Sequence, residues 1–136
     1  MTASMALHLI KLCVGVARVE TLERRVAKGQ WLTVHTRHTP KRADEILDGG
    51  SLFWVFKGVV LARMPVADIR TIEDGARRRC EIILAPEVIR TEGQPRRAFQ
   101  GWRYLEPHEA PADLAVLEAE GLPPDLAREL RALGAW

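Results

Sequence analysis

Apolar residues fall along this chain in short runs broken by glycine, proline and charge, the pattern of strands mixed with short helices. Leu7–Val14 is largely apolar and free of breakers, which predicts a buried first strand. Val19, Leu22 and Val26 recur at helical spacing and predict an amphipathic helix that stops at Gly29. Trp31–Arg37 is rich in β-branched residues and predicts a second strand. Thr39 and Pro40 supply an N-cap and a first helical residue for a short helix. That helix turns Ala43, Ile46 and Leu47 inward and ends at Gly49-Gly50.

The strongest core signal is Ser51–Met64, where Leu52–Phe56 is an unbroken apolar run followed by Lys57-Gly58 and a second run from Val59. Gly58 either turns a tight hairpin or forms a bulge in one long bent strand. Val66–Ile72 and Arg79–Leu84 read as strands flanking an Asp74-Gly75 hairpin turn. Pro86–Thr91 has no clear period and fits a single helical turn. Gly93-Gln94-Pro95 predicts a loop, and Phe99–Leu105 a last strand. Beyond it, Pro111–Glu120 and Pro124–Leu133 predict two helices divided by Gly121 and Pro123. The second places Leu126, Leu130 and Leu133 on one face, and Gly134 closes it. Strands, hairpins and a helical appendage together define an α+β class. A length of 136 residues fits one domain. We expect a body over residues 5–110 and a helical extension, 111–136, packed on it.

Composition adds limits. Apolar residues make up 47% of the chain, enough for a core without disulfides or a metal. Cys13 and Cys80 both lie in apolar runs and are expected as buried free thiols. No stretch nears the roughly 18 apolar residues of a membrane span, and the N-terminus lacks a signal-peptide pattern. The expectation is a cytoplasmic protein that does not enter membranes, a monomer or weak homodimer, with Met1–Ser4 as a short leading extension.

The net charge of +2 conceals an asymmetry. Residues 1–105 hold 18 Lys/Arg against 11 Asp/Glu, a balance of +7, whereas residues 106–136 hold two against seven, a balance of −5. A basic body suits polyanionic partners, and an acidic tail is suited to shield it. Within the body, Gln94–Leu105 combines the chemistries that bind nucleic acid. Arg96, Arg97 and Arg103 can fork onto phosphates or base edges. Phe99, Trp102 and Tyr104 offer faces on which bases stack, each worth roughly 1–3 kcal/mol. Gln100, beside Gly101, can read a base edge. Strand alternation divides this segment, with Phe99, Gly101 and Arg103 facing one way and Gln100, Trp102 and Tyr104 the other, so one aromatic set must be core.

A second basic cluster, Arg37 to Arg42 with Lys41 between, sits where strand passes to helix. If the clusters share a side they form a groove with Trp54 or Trp31 as a wall. Arg77, Arg78 and Arg79 read as an exposed hairpin tip. His35 and His38 are three apart near a strand end and should face opposite sides, and His8, His108 and the cysteines show no zinc-type pairing. Gly49-Gly50 is too short for a phosphate cradle. Neither metal nor cofactor is expected.

The stretch Thr39 to Gly58, with Met5–Gly15 and Phe99–Leu105, resembles an uncharacterised alphaproteobacterial family, domain-of-unknown-function family 1489 (DUF1489), over most of residues 5–115. That resemblance implies no activity. A basic strand end, a short helix, a Gly-Gly turn and an aromatic strand resemble, at the level of architecture, PUA-like domains of the ASCH and EVE branches. Gly50-Ser51 departs from the Gly-Asp common in those branches. This resemblance implies a small mixed β-barrel that binds RNA or a nucleotide. It also implies an alternative, a small amidohydrolase acting on modified nucleosides, with Lys41, Thr39 and Glu45 or Glu81 as candidate groups. The third reading is a protein-interaction module built on the Leu126, Leu130 and Leu133 face.

Overall fold

The computed structural model describes residues 6–119. They form seven strands with short helices: β1 (His8–Leu12), α1 (Val19–Val26), β2 (Leu32–Thr36), α2 (Ala43–Leu47), β3 (Ser51–Phe56), β4 (Val59–Asp74), β5 (Arg77–Leu84), β6 (Ile89–Pro95), β7 (Trp102–Leu105) and α3 (Leu114–Ala119). The α+β class is observed. The second tail helix, with Leu126, Leu130 and Leu133, lies outside the described residues, as does Met1–Ser4.

β3 explains the unbroken apolar run. It is paired on both sides, parallel to β1 and antiparallel to β4, and all six of its residues are buried because both its faces are covered. Leu52, Trp54 and Phe56 face the main core with Val19, Leu22 and Val26 of α1 and Ile46 of α2. Phe53 and Val55 face a smaller cluster with Ile10, Val60 and Leu105. Lys57 (φ 48°) and Gly58 (φ 83°) resolve the alternative at this point: both central residues have positive φ, forming a two-residue hairpin loop from Phe56 to Val59. A bulge follows as well. Trp54 pairs with Ala62 and Val55 with Val60, so Leu61 is extra, and Val60 and Ala62 serve opposite cores.

Several elements differ from expectation. Val66–Ile72 is not a separate strand but part of β4, which runs 16 residues through Pro65. The proline is tolerated because the ladder changes partner there: Val66 donates to the Gly50 carbonyl, and Ala85 donates to Pro65. β6 then lies along the first half of β4 and β5 along the second. Gly93-Gln94-Pro95 therefore belongs to a strand, with Pro95 at its end, and Ile89–Thr91 is strand instead of helical turn. β1, β2 and β7 are shorter than predicted, leaving Val14 82% and Trp31 58% exposed. α2 begins at Ala43: Thr39 forms no cap, because its hydroxyl lies 2.8 Å from the Thr71 hydroxyl. Ile46 is buried, whereas Leu47 is exposed and Ala43 half-buried. Among the described residues of the predicted Pro111–Glu120 helix, α3 (Leu114–Ala119) is the helical part.

The strand order is β2-β5-β4-β3-β1-β7. The sheet curls until its two end strands approach. Among the described residues no ladder joins them; Trp102 Nε1 donates to the His38 carbonyl at 2.7 Å across the gap. In place of the expected small mixed β-barrel, the strands form one open sheet with a seam between β2 and β7.

His8, Ser51, Arg63 and Asp113 form one connected polar network beside β3. Ser51 N–H donates to His8 Nδ1 at 3.0 Å, and Arg63 donates to Ser51 Oγ at 2.7 Å. Arg63 also forms a two-pronged pair with Asp113, both bonds 2.9 Å. This ties the Pro111–Asp113 segment to the sheet, and Ala112 N–H donating to Glu92 repeats the tie on β6. Asp113→Asn leaves a half-buried guanidinium without its counter-charge and should cost about 2 kcal/mol, read as a lower urea midpoint at unchanged slope. Cys80 is buried and Cys13 half-buried, both free thiols. No described helix is long and apolar enough to cross a membrane.

Candidate functional site

The seam carries the site. β1 and β7 are antiparallel with Lys11 opposite Trp102, so both side chains rise on one face. β2 ends at Thr36, and the chain continues through Arg37 and His38 against Trp102. The result is two adjoining hollows. One, of about 490 Å³, is lined by Lys11, His35, Thr36, Arg37, His38, Gln100, Gly101 and Trp102. The other, of about 510 Å³, is lined by Arg37, His38, Thr39, Lys41, Thr71, Arg78, Trp102 and Tyr104. Arg37, His38 and Trp102 are common to both, and no carboxylate lines either.

The aromatic ridge between the hollows is braced. Trp102 and Tyr104 meet edge to face at 5.0 Å. The Tyr104 hydroxyl accepts from Arg42 N–H at 3.1 Å, and the Arg42 guanidinium lies 5.5 Å from the Tyr104 ring centroid. Both rings are half-buried: one side packs on the main core and the other faces the hollows. The division of the β7 faces is therefore softer than strict alternation suggests. Phe99 joins the smaller core on the opposite face, with the Arg103 guanidinium 5.3 Å from its centroid.

The structure thus brings together Arg37, Lys41, Gln100, Trp102 and Tyr104, drawn from two segments 60 residues apart in sequence. It separates the others. Trp54 is 5% exposed in the main core and forms no wall; its indole N–H has no acceptor among the described residues. Arg103 is on the far face of β7. Arg96 donates to Gln94 Oε1, Arg97 is exposed, and neither lines a hollow. Arg42 lines neither hollow and is held by Glu45 at 2.7 Å and Glu106 at 3.1 Å. Those carboxylates raise its pKa and occupy its donors. Arg37, Lys41 and Lys11 form no ion pair among the described residues.

Lys11, Arg78 and His38 are among the lining residues outside the expected ligand set. Lys11 was visible as a lone cation within an apolar strand, and only the pairing with Trp102 gives it meaning. Arg78 arrives because β4 and β5 extend past β2 as a two-stranded ribbon; it pairs with Glu73 at 3.0 Å, an exposed contact of little strength. His38 lines the same hollow as His35, with its backbone carbonyl accepting from Trp102. The described residues contain no cluster of metal-ligating side chains. Of the amidohydrolase groups, Thr39 and Lys41 share one hollow but neither Glu45 nor Glu81 lines it.

An α+β protein with a basic, aromatic-ridged seam in an open sheet is the class these observations define. The family model described as "Protein of unknown function (DUF1489)" matches residues 9–136, and the chain belongs to that family. No curated protein and no solved structure matches it.

Proposed function

We propose that the protein binds a nucleotide or single-stranded RNA in the seam between the end of β2 and β7. The observation that supports this reading is the lining of the hollows: Lys11, Arg37, Lys41 and Arg78 around a Trp102–Tyr104 ridge, with no carboxylate among the lining residues. Cations recruit phosphates and an indole face open to solvent stacks a base, while Gln100 offers both a donor and an acceptor to a base edge. The hollows face solvent, which suits an unpaired strand better than a buried substrate.

Binding to a fluorescent oligouridylate, followed by anisotropy over a salt series, tests this. Trp102→Ala should weaken binding by about 1–3 kcal/mol, and Trp102→Phe, which keeps a stacking face but loses the seam bond, should recover much of it. Arg37→Ala and Lys41→Ala should each reduce the salt slope by about 0.7. Binding indifferent to salt and to all these substitutions overturns the proposal.

A further inference from the structure

A third concave patch lies at the other end of β2. Arg24, Arg25 and Lys28 surround Trp31 in a hollow of about 580 Å³, again with no carboxylate in its lining. The two carboxylates of α1 explain why these cations are unpaired. Glu20 and Glu23 turn to Arg90, at 3.4 and 2.6 Å, and leave the rest of the helix basic. Trp31 is 58% exposed, a large apolar surface with no structural role that the core requires.

The patch and the seam are joined along one edge. β2 pairs only with β5 among the described strands, and it alternates buried Val34 and Thr36 with exposed Thr33 and His35. Trp31 and Arg37 extend the exposed set by one step at each end. Lys11 of the seam and Arg25 of the patch also lie within electrostatic reach of one group, the Cys13 thiol. Burial pushes that thiol up to about 11, and the two cations draw it partly back. From Trp31 to Arg37 the strand covers about 20 Å. At a stacked rise of about 3.4 Å, that length corresponds to about six nucleotides. Glu81, 3.6 Å from His35 Nδ1, sits beside the middle of this line, so phosphates would gather at its two ends.

We infer that the ligand is a single-stranded RNA of about six nucleotides or more, laid along the β2 edge from the seam to Trp31, with Trp31 as a second stacking platform. This rests on the seam reading and adds a length and a far anchor to it. Anisotropy with oligouridylates of about two and about eight nucleotides tests it, since single-strand sites of this kind span about 4–16 nucleotides. The longer oligomer should bind at least about tenfold more tightly than the shorter. Trp31→Ala and the double substitution Arg25→Ala/Lys28→Ala should abolish that advantage and leave the dinucleotide unaffected. Trp102→Ala should weaken both oligomers. Equal affinity for the two lengths, or no effect of the Trp31-side variants on the longer one, overturns the track and leaves the seam standing. Loss on Trp31→Ala without loss on Trp102→Ala places binding at the patch and overturns the seam. Binding of neither oligomer overturns both.

Discussion

Gly50→Ala should lower the melting temperature by about 10–15 °C, from a loss of about 4 kcal/mol in a chain of this size. A β-carbon there would lie 2.2 Å from the Leu7 carbonyl oxygen and 2.5 Å from that of Ile46. Both are backbone atoms, so no side-chain rotation relieves the contact. Relief requires moving α2 away from β1. Gly50 N–H donates to Ile46 at 2.7 Å and its carbonyl accepts from Val66, so the movement also breaks the passage into β3 and the switch point in β4. Gly49 is the control. Its φ of +96° disfavours a side chain, but a β-carbon meets only Ala6 Cβ at 3.9 Å. Gly49→Ala should therefore cost about 1 kcal/mol. Equal costs at the two positions, by calorimetry, would show that conformation and not close approach matters at this turn.

The same turn shows how far the sequence could be read. Gly49-Gly50 marked the end of a helix correctly, yet nothing in the pair distinguishes a residue chosen for its φ from one chosen for its lack of volume. That distinction depends on Leu7, some 40 residues earlier. Where apolar spacing carried the signal, the reading succeeded. Val19, Leu22 and Val26 formed their helix, and Leu52–Phe56 proved the most deeply buried strand. Where a breaker stood inside a strand, it failed. Pro65 split β4 in two, and Gly93-Gln94-Pro95 disguised β6, because sequence does not show which backbone amides lack a partner to donate to.

The site was legible in the same measure. Arg37, Lys41, Gln100, Trp102 and Tyr104 were named from residue chemistry, and the curl of the sheet brings them together. Arg42 carries the same charge as Arg37 but is taken up by Glu45 and Glu106, the second of which is 64 residues away. Trp54 has the same side chain as Trp102 but lies on a strand with neighbours on both sides. Charge and aromaticity identify candidates. Which of them remain available is decided by long-range pairing, and that belongs to the fold.

His8 makes stability itself pH-dependent. It is 4% exposed, packs edge to face on Phe53 at 5.0 Å, and accepts from Ser51 N–H through Nδ1. Burial is the main reason its pKa falls from 6.5 to about 4; the nearby Arg63 charge lowers it further, and Asp113 opposes. The unfolded chain therefore binds a proton at His8 below about pH 6.5 that the folded chain refuses until about pH 4. Stability from this group is complete above pH 6.5 and falls between pH 6.5 and 4, by about 3 kcal/mol in all, with no further change below. His8→Asn isolates the effect, because its amide oxygen can take the place of Nδ1 opposite Ser51 N–H and it does not titrate. Urea unfolding of both proteins should show wild type losing its advantage over His8→Asn as pH falls through this window. A stability difference that stays constant from pH 7 to 4 would mean that His8 accommodates its proton in place, with Asp113 rather than burial controlling it.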